Sequence, residues 1–274
     1  MTSGAKDASD LTWWGDVRVE PGKAARWLIG PLELYIERRE GDWRVGRRVG
    51  KDLLSEDYEP RTDLDGAPDD VKDVDRFVAH SNNDVSCAIA PALPDRALVV
   101  APESPFHVPP GTKATIYMST PVWLQFRLVG AADSPVLLDI PIARPSDTWF
   151  GDSTKEGVLC YASRTFARLS LAEITRRAHR AVTAAHIDNK ARTPLTLKRV
   201  CMPVDSLALF AAADGRLFTQ DVVLSRKDEH AEDYADVSLG DKQPLAAPDA
   251  KRIVEPRKTL SGNFVTRAFA RLFE

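Results

Sequence analysis

The sequence contains no CxxC pair, no HxH or HExxH pairing, no glycine-rich phosphate loop, and no serine or cysteine in a nucleophile elbow. Their absence excludes the metal, nucleotide and hydrolase sites that can be read from spacing alone. No apolar run reaches the roughly 20 residues of a membrane span. Met1 to Asp10 are small and polar, without the apolar stretch of a secretory leader. Cysteine is scarce and odd in number. Cys87, Cys160 and Cys201 stand far apart, each within an apolar stretch, and read as buried thiols of a reducing cytosol, so a cytoplasmic location is expected. An excess of one charge is missing too. With 37 basic and 40 acidic side chains the formal charge is -3, which offers no global field for a polyanion or an anionic membrane, and nucleic acid is not an expected partner.

What is present is a core and a strand pattern. Hydrophobic residues make up 43% of 274 positions, enough for a large β domain or two smaller ones. Leu32, Leu34 and Ile36 alternate with Glu33, Tyr35 and Glu37, and the alternation resumes at Trp43 and Val45 after a break at Glu40, Gly41 and Asp42, which reads as a hairpin. Further strands are expected at Val85 to Ala90, Ala97 to Ala101, Ala114 to Ser119, Val122 to Val129, Val136 to Ile142, Val158 to Ala162, Pro194 to Met202, Leu207 to Ala211, Arg216 to Leu224 and Tyr234 to Leu239. Prolines punctuate the gaps. The acidic stretch from Lys51 to Arg76 reads as a long loop, with a short helix from Asp69 to Val78.

The expected fold class is mainly β, an antiparallel β-sandwich, single or two in tandem, ending in a short amphipathic α-helix. Trp27, Leu32, Leu34, Ile36, Val122, Leu124, Phe126, Leu195, Leu197 and Leu209 are the expected core. Residues 1–10 form a tail, 11–146 and 147–240 two β halves, 241–261 a linker rich in charge, Pro and Ala, and 262–274 the helix. Ser170 to Ala185 supports two readings. Ser170 with Glu173 is a capping box followed by a helical face, whereas Ala181, Thr183, Ala185 and Ile187 alternate as a strand. The arginines and histidine between Arg176 and Arg180 suit either, and the neighbouring strands tip the reading toward strand.

A family likeness rests on Trp13-Trp14-Gly15, on Arg26-Trp27-Leu28-Ile29-Gly30-Pro31-Leu32 leading to Asp42-Trp43-Arg44-Val45, and on Trp149-Phe150-Gly151-Asp152 with Gly157-Val158-Leu159-Cys160-Tyr161. In these motifs the chain resembles an uncharacterised prokaryotic family known as domain of unknown function 432, across most of residues 11 to 240. The resemblance implies a prokaryotic origin and a β-rich fold. It brings no activity, cofactor or catalytic residue.

The best candidate ligand surface is Trp149, Phe150 and Asp152, where aromatic faces and a carboxylate suit stacking with a directed hydrogen bond, with Tyr161 and His186 completing a pocket if the fold gathers them. The alternative is a strand end carrying two core aromatics. No metal site is expected, because Asp63, Asp65 and Gly66 lack the third acidic position and distal Glu of a calcium loop. No cofactor is expected either. His80, beside Asn82 and Asn83, and His107, His179, His186 and His230 show no pairing, and no catalytic residue is identified. At the C-terminus Phe264, Val265, Ala268, Phe269, Leu272 and Phe273 share one helical face, which would dock on the core, a protein partner or a second subunit, with a membrane surface the weaker option. The function that follows is a non-enzymatic binding or interaction module. The alternative is a hydrolase of a carbohydrate or similar polar substrate, with Asp147 and Asp152 the first carboxylates to suspect.

Overall fold

The computed structural model describes residues 11–78, 86–129, 134–153, 155–231, 233–240, 243–259 and 264–270. Its architecture grows out of the first hairpin. Leu32–Arg38 pairs antiparallel with Asp42–Val49, Ile36 opposite Val45, and with Ala24–Ile29 on its other side. Gly30, at φ +59, makes the turn into Pro31 that sends the chain back. Leu32, Leu34 and Ile36 are fully buried, each contributing roughly 2 kcal/mol. Tyr58–Leu64 and Asp73–Val78 close the edges of this five-stranded sheet. The acidic stretch therefore carries two edge strands, with 51–57 and 65–72 left as loop, and Asp69 to Val78 holds no helix. Its carboxylates reach arginines across the strands, a pairing that local composition does not reveal.

A second sheet runs Gly15–Val17, Ser86–Ala92, Trp123–Val129, Leu138–Pro141, and a third Ser146–Ser153, Glu156–Ala162, Leu98–Val100, Val200–Met202. Phe106–Val108 and Leu195–Leu197 form a small ribbon. The largest sheet is organised by Arg180–Asn189. Thr112–Pro121 lies antiparallel along one side over ten residue pairs, while Leu217–Thr219 and Val222–Arg226 follow one another in parallel along the other. Antiparallel pairing dominates elsewhere. Every one of the ten expected core residues is buried, in one apolar cluster spanning the sheets.

The ambiguous segment resolves as Leu171–Glu173, a single 3-10 turn capped by Ser170, whose hydroxyl accepts from the Ala172 amide, followed by a turn and then the strand Arg180–Asn189. The C-terminal helix is overturned. Phe264–Arg267 is a strand on the edge of the large sheet, antiparallel to Tyr234–Leu239, and Phe269 beyond it is buried where it bridges to Val200. A helix of so few residues gains little alone, whereas the open edge of Tyr234–Leu239 satisfies the same backbone groups. Leu272 and Phe273 lie outside the described residues. Within 241–261, Lys251–Val254 pairs with Leu209–Ala211, and Arg257 forms a two-pronged ion pair with Asp139. Among the described residues no helix is long and apolar enough to cross a membrane.

Candidate functional site

The segment between the 3-10 turn and the central strand is held from the N-terminal side. Trp13 donates its indole N–H to the Ala178 carbonyl at 2.9 Å, and the Arg177 Nε donates to the Leu54 carbonyl at 2.7 Å. The His179 ring lies so close to Gly30 that a Cβ there would collide with it. His179 is 0% exposed; the Leu53 backbone lies beside its ring, and no side chain among the described residues hydrogen-bonds to it. Burial, with help from Arg180 and Arg177, pushes its pKa from 6.5 down to about 3, so the ring is neutral.

These clamps deliver Arg180 to the first position of the central strand, 6% exposed. Its Nε donates to the Ser119 hydroxyl at 2.6 Å, and Nη2 donates to the Ser119 carbonyl and, at 3.4 Å, to the Thr165 hydroxyl. All three acceptors are neutral. No carboxylate among the described residues pairs with this guanidinium; burial and the positive charges of Arg177 and Arg164 lower its pKa from 12.5 to about 9, which leaves it protonated at neutral pH. Arg180 lines a cleft of about 300 Å³ together with Arg176, Arg177 and Arg216, and Asp214 is the one acidic residue of its lining. Asp214 is occupied, its carboxylate by Arg216 at 2.6 Å and its carbonyl by Arg176, while Arg177 reaches Glu56 at 3.5 Å. The cleft thus presents buried, oriented N–H donors with positive charge in excess, the arrangement that receives an anion.

A larger cavity of about 790 Å³ is lined by Arg18, Lys23, Arg38 and Arg61 and by Glu20, Asp63 and Asp65, and none of its cations is buried: Lys23 pairs with Asp65 at 2.7 Å and Arg61 with Asp63 at 2.7 Å. Glu229, His230 and Asp236 have cation-ligand spacing, but the Lys227 ammonium already lies 3.2 Å from Glu229 and 2.7 Å from Asp236.

The residues singled out from sequence are scattered. Trp149 stands opposite Leu159 on the Ser146–Ser153 hairpin, 39% and 47% exposed. Phe150 points the other way, buried with Val99, Cys160 and Cys201. The Asp152 side chain and His80 lie outside the described residues. Tyr161 packs on Trp123 and donates to Asp95 at 2.8 Å. His186 belongs to another sheet, between Thr115 at 3.0 Å and Asp221 at 3.2 Å, and none of Trp149, Phe150, Tyr161 and His186 lines either cavity. Asp147 is engaged by Arg96 and Arg144. Phe264 and Phe269 pack into the core and Val265 remains exposed on the sheet edge. The three thiols are free and buried. Cys160 and Cys201 lie 3.7 Å apart, and their mutual hydrogen bond together with burial pushes the Cys201 thiol up.

Sequence reasoning missed the cleft. Its signal was the density of arginine between Arg176 and Arg180 next to an apolar strand, but only the tertiary clamps show that one of these arginines is buried. A family model described as "Protein of unknown function (DUF432)" matches residues 13–274, and no curated protein and no solved structure matches the chain. The match covers nearly the whole length, and the chain belongs to this family of unknown function.

Proposed function

We propose that this protein is a non-catalytic binding module, built on a β-sandwich scaffold and working in the cytoplasm, whose ligand carries an anionic group received by the Arg180 cleft. One observation carries the reading: a guanidinium 6% exposed, answered only by neutral oxygens, lining a cavity with three further arginines. Burying an unpaired charge costs several kcal/mol, and an anion in the cleft offsets that cost. Calorimetric titration of the full chain with inorganic phosphate should show binding with a dissociation constant on the order of 1 mM or tighter. Affinity should fall as NaCl is raised and vanish in Arg180→Met. Phosphate binding that survives Arg180→Met, or no binding at all, rejects the reading.

A second reading, a hydrolase, has one arrangement in its favour. Asp221, His186 and Thr115 form a hydrogen-bonded chain across three neighbouring segments, with a hydroxyl at the end where a nucleophile would sit. Hydrolysis of p-nitrophenyl acetate that is abolished by both Thr115→Val and His186→Gln would favour it over the binding module.

A further inference from the structure

The arginines are only half of the cleft. Leu171 and Ile174, from the 3-10 turn and the residue that ends it, line the same cavity with Leu11, Val182 and Leu217, so its lining is apolar as well as cationic. A free inorganic anion would answer the cationic groups and leave the apolar ones wet. The volume limits what else fits. About 300 Å³ is about ten water volumes at roughly 30 Å³ each, room for about ten non-hydrogen atoms. Arg177 pairs with Glu56 and Arg216 with Asp214, whereas Arg180 has no carboxylate partner among the described residues, so its buried charge is what an anionic head answers, and a phosphoryl group offers oxygens to it and to its neighbours at once.

Resting on the anion-binding reading above, we infer that the cleft selects a small organic phosphate monoester: a phosphoryl head at the arginines and a short apolar or aromatic body against Leu171 and Ile174. The phosphoryl oxygens take N–H groups of Arg180 and its neighbours. The body covers apolar surface that the free protein leaves to water. Inorganic phosphate binds through the head alone, and a neutral alcohol of the same body has nothing to offer the buried charge.

The test is calorimetric titration of the full-length protein with inorganic phosphate, phenyl phosphate and phenol. Phenyl phosphate should bind at least tenfold more tightly than inorganic phosphate, a gain that about 55 Å² of buried apolar surface supplies, and phenol should not bind. Leu171→Ser with Ile174→Ser should bring phenyl phosphate down to the affinity of inorganic phosphate while leaving the latter within about twofold. Both side chains are partly exposed, so the fold tolerates the change. Arg180→Met should abolish both phosphates. Arg180→Lys, which keeps the charge but not the fork, guards against misfolding and should bind each at least several-fold more weakly. Equal affinity for the two phosphates, both dependent on Arg180, overturns the monoester inference and leaves the anion reading standing. Failure of both phosphates to bind, or phenol binding as well as phenyl phosphate, overturns both.

Discussion

Arginine is handled in opposite ways on the N-terminal sheet and at the head of the central strand. On the sheet, Arg26 bridges Glu33 and Glu59 at 2.7 and 2.5 Å, Arg47 bridges Asp73 and Asp75 at 2.6 and 2.7 Å, and Arg48 reaches Glu33 and Asp70. Each sits on a half-wet surface and is answered by carboxylates. Arg180 is buried more deeply than any of them and is answered by a hydroxyl pair and a carbonyl. Exposed pairs contribute about 0–1 kcal/mol each and cost little to keep. An uncompensated buried charge opposes folding by several times that. Arg226, 4% exposed and answered only by Asn189 and Thr193, shows that neutral oxygens can hold a buried guanidinium within the fold, but it lines neither cavity; Arg180 does, which is why the cleft and not the charged sheet is assigned to binding.

The largest effect that separates the regions is in acid. His179 belongs to the buried side, with no charged partner. Its pKa is about 3 in the fold and near 6.5 when the chain unfolds, so between those values the unfolded state takes up a proton that the folded state refuses. Its contribution is complete above pH 6.5 and is lost as pH falls toward 3, on the order of 5 kcal/mol in total. The sheet behaves differently. For Glu33, burial alone would raise the pKa, but hydrogen bonds from Arg26, Tyr35 and Arg48 hold it below 4.5; for Asp42, bonds from Arg44 and Arg76 likewise outweigh burial and hold it below 3.8. Those depressed carboxylates add stability above their unfolded values and lose it as pH falls further. Urea unfolding from pH 7 to 4.5 should thus show a slope approaching one proton that disappears in His179→Leu, whatever that variant's absolute stability. A slope unchanged by the substitution would break the comparison at its strongest point.

The contrast also explains what could be read in advance. Strand positions and core residues were legible because period-two alternation is local: Leu32, Leu34 and Ile36 announce their face, and Tyr234 to Leu239 is expected and observed as a strand with the same bounds. Phe264 to Phe269 does not form the expected helix, because a helical spacing of apolar residues says nothing about the sheet edge waiting for Phe264–Arg267. The cleft was illegible for the same reason at a larger scale. Arg180 meets Ser119 61 residues away, and the clamps on its turn come from Trp13, Gly30 and Leu54. Trp149 and Asp147 drew notice by residue type alone, but residue type carries no information on who else arrives.

Next in size is Arg180 without ligand. If its charge is a burden, Arg180→Met in phosphate-free buffer should equal the parent or exceed it by up to about 2 kcal/mol in urea unfolding, the Met chain filling the space of the guanidinium stem. The parent should recover the difference when phosphate is added and the variant should not, because only a folded state that binds the anion gains from it. A loss of more than about 2 kcal/mol in Arg180→Met would identify the Ser119 and Thr165 contacts as a structural strut.

The smallest effect lies on the sheet and sharpens the comparison from the other side. Arg47 is half-buried and holds two aspartates on the neighbouring Asp73–Val78 strand. Arg47→Met should cost no more than about 1 kcal/mol, since the lost Coulomb attraction was shared with solvent and the aspartates return to water. The cost should shrink in about 0.5 M NaCl, where the screening length falls below the separations that matter between exposed charges. The same salt should weaken phosphate binding at Arg180, but it should leave the ligand-free stability of Arg180→Met relative to the parent nearly unchanged, because the low-dielectric surroundings that make the buried charge expensive also keep mobile ions away from it. A salt-sensitive cost at one arginine and a salt-insensitive one at the other are what paired surface charge and unpaired buried charge require; a common response in both places would mean that Arg180 is wetter than its burial indicates and that the cleft holds no special claim on an anion.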